Sequence, residues 1–314
     1  MTKDQDGFAL ILVLLVVGAL SALILDMNYT TRVNFRLAEN FRDETQAVFL
    51  ALGSVEAAKA LLLEDGDLNY DAREGEDDAI WATPNEHMEA GGSIKIKFTI
   101  LDEGGKFWLP DFFDPQAPPS QVHQAILDDL EYAMDLDEQV FDSIQDWIDQ
   151  DDTPLQYGAE NDDYYLNLDP PYKAPNGPLL DLSELLLVKG VDDALFLGKN
   201  SGFAFGLNDM FTLYKNHGGG INVNTADPKV LTALVDSQFA VDVANAIPIE
   251  DKTAIPGYSS PSLKNKSMLD VRSSYFSVHV WIQVHNVTKR FQSILQRDQQ
   301  SGKLTVHVES WQEL

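Results

Sequence analysis

Eighteen consecutive residues without a charge, Phe8 to Leu25, begin directly after Gly7. A hydrocarbon core of about 30 Å takes roughly 20 apolar residues in a helix rising about 1.5 Å each, so this run is just long enough to cross a bilayer. The seven residues ahead of it hold one basic side chain, Lys3, beside Asp4 and Asp6, and no small-residue cleavage site comes after the apolar stretch. That is not the layout of an ordinary secretory signal, and the junction of interest lies in front of the run, at Gly7-Phe8.

The helical pattern continues past Leu25, because neither Pro nor Gly occurs between Ser21 and Leu52. Leu37, Phe41, Val48, Leu52, Val55 and Leu62 recur at steps of three, four and seven, which predicts one apolar face on an α-helix. A single helix from Phe8 to Leu63 would measure about 84 Å, lipid-soluble in its first half and amphipathic in its second. A plain membrane anchor with a connecting helix would satisfy this pattern. So would a helix whose second half packs on a sheet of the same chain while its first half bundles with like helices.

A sheet is available. Ser93 to Leu101 alternates Ile94, Ile96, Phe98 and Ile100 with Lys95, Lys97 and Thr99, the period of a half-buried strand. Glu103-Gly104-Gly105-Lys106 then reads as a hairpin turn whose glycines supply positive φ angles. Tyr275 to Asn286, Thr288 to Gln296 and Lys303 to Glu309 repeat the alternation and predict an antiparallel meander, with His279, His285 and His307 as exposed sheet residues. Between these strand regions, Pro- and Asp-rich segments at Asp111 to Pro119 and Ile249 to Ser262 mark boundaries. Helices are predicted at Gln121 to Met134, Asp137 to Ile148, Leu182 to Lys189 and Pro228 to Val235. The class is α+β: a long N-terminal helix packed on an antiparallel sheet, with a large α-helical domain inserted in the sheet. The expected division is 8–63 for the long helix, 64–110 with 270–314 for the α+β part, and 111–269 for the insert.

Charge narrows the chemistry. With 22 Lys and Arg against 50 Asp and Glu, the formal charge is -28, which repels nucleic acid and anionic lipid head groups. There is no cysteine, so disulfides cannot hold an exported part together. From Phe107 to Tyr172 seventeen Asp or Glu occur without one Lys or Arg. Such a run is either a solvated face or a site where a cation relieves the repulsion, and an all-oxygen donor set suits calcium better than zinc or copper. No glycine or glutamate stands where an EF-hand loop needs it, so a different calcium site is expected, with Asp149, Asp151, Glu160, Asp162 and Asp163 as candidate ligands.

Ile221-Asn222-Val223-Asn224-Thr225-Ala226 is a segment of the kind that opens helix-hairpin-helix DNA-binding units. Val235 to Ile247 behind it lacks the glycine and the basic residues of a phosphate cradle, which argues against nucleic acid as a partner. Leu179 to Val191 reads as a core helix capped by Asp181 or Ser183 and stopped at Gly190. No nucleophile triad, P-loop or dinucleotide turn appears, and no two carboxylates stand out as an acid/base pair, so no enzymatic activity is expected.

Taken together and in order, the segments resemble the minor pseudopilin K family of the type II (general) secretion pathway. They are Gly7-Phe8-Ala9-Leu10, Leu101-Asp102-Glu103-Gly104-Gly105-Lys106, Asp146-Trp147-Ile148-Asp149 with Gly158-Ala159-Glu160, Leu182 to Gly190, Ile221 to Ala226 and Ser274-Tyr275-Phe276. The resemblance implies a prepilin-type leader, residues 1–7, cut after Gly7 by the prepilin peptidase, with methylation of the new terminal amine on Phe8. It further implies calcium in the inserted α-domain and a pseudopilus-tip complex with pseudopilins I and J above the major pseudopilin. Before assembly the chain would sit in the bacterial inner membrane as a single pass, its C-terminal domain in the periplasm. Pilin-like subunits commonly have Glu at the fifth mature position; here that position is Leu12, as suits a subunit with no neighbour on one side. The competing expectation is a calcium-dependent recognition domain on a permanent membrane anchor.

Overall fold

The computed structural model describes residues 3–65, 69–73, 80–88, 92–134, 136–137, 139–198, 205–300 and 303–314. The long helix, α1, runs Lys3–Glu64, and every described side chain from Leu10 to Arg42 is exposed. This half of α1 stands clear of the other described residues and is long and apolar enough to cross a membrane.

The second half of α1 lies across a five-stranded sheet, β1 (Asn85–Met88), β2 (Ile94–Asp102), β3 (Tyr275–Val284), β4 (Val287–Gln300) and β5 (Lys303–Glu313), antiparallel throughout and ordered as numbered. Phe98, Ile100, Phe276, Val278, Val280, Ile282 and Val284 meet the helix face built from Ala47, Ala51, Val55, Ala58 and Leu62. That face differs from the expected one. Leu37, Phe41 and Leu52 are exposed, and three alanines occupy the contact, because small side chains let the helix axis approach the sheet while larger ones would hold it off. His285 and His307 are exposed as expected, but His279 is half-buried, and burial lowers its imidazole pKa.

Between β2 and β3 the chain builds a second core. The helices α2 (Gln121–Met134) and α3 (Gln139–Ile148) bury Ile126, Leu127, Leu130, Val140, Ile144 and Trp147 against a cluster of Phe107, Phe112, Phe113, Phe141 and Phe211. Two further short helices, α4 (Pro228–Leu234) and α5 (Ser237–Ala244), start at the side chains of Asp227 and Asp236, which accept backbone N–H bonds. The segment expected as a core helix from Leu182 is instead a 3-10 turn, Leu182–Leu187, capped by Asp181 with Glu184 bonding back, and it buries Leu185. Gly190 ends it at φ +85, a left-handed conformation that favours glycine.

The predicted hairpin at 103–106 does not form. The turn closes through Lys106 N–H on the Glu103 carbonyl at 3.2 Å, but Phe107–Trp108 pairs in parallel with Phe211–Thr212, so the chain leaves the main sheet here. Neither Gly104 nor Gly105 has a positive φ. Gly105 is glycine for space: a Cβ there would lie 2.8 Å from the Ala226 backbone nitrogen.

The two cores meet at a buried polar junction. The Asp102 carboxylate accepts from Gly104 N–H at 2.7 Å, from Asn222 Nδ2 at 3.1 Å and from the hydroxyls of Ser273 and Thr225. Beside it Arg297 of β4 spans Asp65, at 2.7 Å, and Asp71. Ser273 N–H in turn donates to Asp71 at 2.7 Å. Burial raises the Asp71 carboxyl to about 7 despite Arg297, and raises Asp102 as well. Asn222 and Thr225 thus serve as internal ties, a use for the Ile221 to Ala226 segment that its sequence does not advertise.

Candidate metal centre

The acidic segment starts where α3 stops. Asp149 N–H closes the last helical turn on the Gln145 carbonyl at 2.8 Å, and Asp151 then accepts Thr153 N–H at 2.8 Å, turning the chain back. Asp146, one helical turn before Asp149, is fully buried and accepts Leu155 N–H at 3.1 Å. A Cβ on residue 158 would lie 1.8 Å from Asp146 Oδ2, so only glycine fits there and the returning backbone presses onto the carboxylate. Ala159 and Glu160 come next, and Ala159 joins the core that holds the clustered rings of Trp147, Tyr165 and Tyr172, the first two 5.0 Å apart.

This path brings one carboxylate oxygen from each of Asp149, Asp151 and Glu160 to within 4.8 Å of one another. Asp162 and Asp163 are exposed and stand outside the trio. Asp163 Oδ1 accepts Glu160 N–H at 2.8 Å, which helps shape the turn, and the Asp162 carbonyl accepts Asn167 Nδ2 at 2.9 Å. Two supporting residues were absent from the expected set. Asp146 could have been found from its three-residue helical step to Asp149. Lys189, which donates to the Gly158 carbonyl at 2.9 Å and the Tyr157 carbonyl at 3.3 Å, could not, being distant in sequence.

The electrostatics fit a cation. Glu160 is 1% exposed, and neither of its carboxylate oxygens has a hydrogen-bond partner; Asp149 Oδ1 is likewise buried without one. Burial, reinforced by Asp146 and Asp149, pushes the Glu160 carboxyl up to about 8. Burial and then Asp151 raise Asp149, and burial lifts Asp146 to about 6. Unpaired buried carboxylates are costly, and hard oxygens at about 2.3–2.6 Å from a common centre are the donors calcium takes. Asp149, Asp151 and Glu160 are the residues that could hold it.

Residues 105–198, the stretch that contains this centre, match the family model described as type II secretion system (T2SS), protein K. The type II secretion system protein K of Aeromonas hydrophila is 25% identical, with 94% of each chain covered. That of Pseudomonas aeruginosa is 30% identical over 83% of this chain and 76% of its own. The chain belongs to the type II secretion system protein K family. Its fold is also that of a chain in the crystal structure of the GspK-GspI-GspJ complex from the type 2 secretion system of enterotoxigenic Escherichia coli. That match has a TM-score of 0.66 at 22% identity and covers 88% of this chain and 98% of the other. The α+β architecture expected for the family, a long N-terminal helix on an antiparallel sheet accompanied by further helices, is the one observed.

At the other end of the molecule Gly7 lies within α1, and Phe8 and Leu12 are exposed on it. Among the described residues nothing covers the apolar flank they belong to between Leu10 and Arg42.

Proposed function

We propose that this family member is a minor pseudopilin that caps the pseudopilus tip together with pseudopilins I and J and supports export of folded proteins across the outer membrane. The observation that carries the proposal is the division of α1: its second half is held on the sheet by an alanine-rich stripe, while its first half, apolar and uncovered, is free to sit in a bilayer or among equivalent helices of other subunits. A helix in a lipid or helical bundle surrounds itself with apolar contacts, so the same residues serve both states. The relative of similar fold was crystallised as a complex of GspK with GspI and GspJ, which supports those partners here.

The chain would be made with a seven-residue leader, cut after Gly7 by the prepilin peptidase and methylated on Phe8. It would rest as a single pass in the inner membrane, with the C-terminal part in the periplasm, and then be drawn onto the major pseudopilin shaft. Leu12 supports the tip position, since a carboxylate there would be buried without the neighbour whose terminal amine neutralises it. The bulk expected at 111–269 supports the same position, because it would clash in a close-packed shaft. Calcium held by Asp149, Asp151 and Glu160 would staple the loop after α3, and the role is structural, without catalysis. Copurification with pseudopilins I and J from the same bacterium tests the assembly. A stable ternary complex is expected, and failure of both partners to associate under conditions where they bind each other would contradict it.

A further inference from the structure

The segment that delivers Glu160 to the candidate centre is closed on itself by one residue from farther along the chain. Lys189, just past the 3-10 turn Leu182–Leu187, holds it at both ends. Its ammonium donates to the carbonyls of Tyr157, at 3.3 Å, and Gly158, at 2.9 Å, and its backbone N–H donates to the Tyr165 hydroxyl at 3.3 Å. The same ammonium lies 5.4 Å from the centroid of the Tyr164 ring, within cation–π range. Residues 157–165 are thereby drawn into a loop whose first and last residues are both fixed to Lys189, and Tyr165 is fully buried.

Inside that loop the main chain of Glu160 is fully engaged and its carboxylate is not. Glu160 N–H donates to Asp163 Oδ1 at 2.8 Å, and the Glu160 carbonyl accepts Tyr164 N–H at 3.0 Å and Tyr165 N–H at 3.2 Å. Its two carboxylate oxygens are buried without a hydrogen-bond partner. Lys189 forms no ion pair among the described residues, so its charge is directed at carbonyls and not at this carboxylate. The difference matters for a cation site. A lysine paired with Glu160 would have to be displaced before a metal ion entered, whereas a lysine bound to carbonyls holds the backbone and leaves both oxygens open. Because the donor is charged, each of these bonds is stronger than its neutral counterpart.

We propose that Lys189 is a positioning residue for the metal centre: it fixes the backbone at 157–158 and at Tyr165 so that Glu160 meets Asp149 and Asp151 in a geometry formed before the ion arrives. This role rests on Asp149, Asp151 and Glu160 being calcium ligands, and it is exercised through the chain alone. Ordering the segment in advance removes a cost that the ion would otherwise meet on binding. Glu160 is the ligand that depends on it, because Asp149 and Asp151 follow directly from the end of α3 while Glu160 returns on the clamped segment.

The test uses the full chain in dodecyl maltoside micelles, with calcium binding followed by titration calorimetry and with Tb³⁺, displaceable by calcium, as a luminescent probe excited through Trp147, two residues before Asp149. Lys189→Met should weaken calcium binding about tenfold or more, the range expected when a residue behind a metal ligand is removed. It should also shorten the Tb³⁺ lifetime in water but not in heavy water, because water takes the place of the Glu160 carboxylate. Lys189→Arg keeps a charged donor and should stay within about threefold of the wild type. In a Glu160→Gln background Lys189→Met should change Tb³⁺ affinity by less than about twofold, since the ligand it positions is already gone, whereas a general loss of folding would lower affinity equally in both backgrounds. Should Lys189→Met fail to fold, as read by circular dichroism in chelator, Lys189→Gln takes its place in the same comparison. Calcium affinity unchanged by Lys189→Met, or an equal loss with and without Glu160, overturns the positioning role alone. A wild type that binds neither ion overturns the calcium reading and this role with it.

Discussion

Glu160 is where a single side chain decides the most. Without a cation its carboxyl is raised from 4.5 to about 8, so the stability tied to it is fully present below the unfolded value and is lost as pH rises through about 8. With calcium the sign reverses, because the ion binds the ionised form and must displace a proton to enter. In chelator, the contribution of this group to the melting temperature should therefore fall between about pH 5 and 8, while calcium affinity should climb over the same interval. At about one hundred times its dissociation constant calcium adds about 2.7 kcal/mol, and Glu160→Gln should abolish most of that gain. Calorimetry at two pH values, with calcium or chelator, reads both effects. Identical melts with and without calcium would contradict the metal assignment. Asp149, Asp151 and Glu160 were legible as candidates because acids without bases invite a cation. Asp162 and Asp163 drew the same inference from composition, yet Asp163 faces its own backbone, a distinction only the turn geometry makes.

At the scale of elements, the helix-sheet contact depends on residues too small to stand out in a hydrophobic pattern. Ala51 is fully buried against the sheet, and enlarging it to Leu should destabilise the fold by about 1–3 kcal/mol, whereas Leu52→Ala, on the exposed side, should change stability by no more than about 0.5 kcal/mol. Urea denaturation of the two variants makes the comparison; equal losses would mean that Leu37, Phe41, Val48 and Leu52 mark the true contact. The strands were readable because alternation is local: Ile94 to Ile100 and Phe276 to Val284 fall on the expected face. The course of the chain beyond the turn at 103–106 was not, since Phe107–Trp108 takes its direction from pairing with Phe211–Thr212, about a hundred residues away. The 3-10 form of Leu182–Leu187 was hidden in the same way, a leucine-rich run with a good cap being equally suited to either helix.

For the whole molecule, the junction of the two cores and the free half of α1 carry the account. Arg297 is buried between Asp65 and Asp71, and Arg297→Met would remove the cation that both buried carboxylates face, at an expected cost of about 3–5 kcal/mol. Chemical denaturation measures that loss, and a cost under about 1 kcal/mol would show that the junction is not held by charge. Such a joint ties Asp65 just past the end of α1, Asp71 and Ser273 to Arg297 of the sheet in one buried contact. The central claim is that this helix is a trimmed assembly element and not a fixed tether. Intact-mass and N-terminal peptide analysis of the protein recovered from cells with an active prepilin peptidase tests it most directly: the account predicts a chain beginning at N-methylated Phe8, and a chain still beginning at Met1 would contradict it.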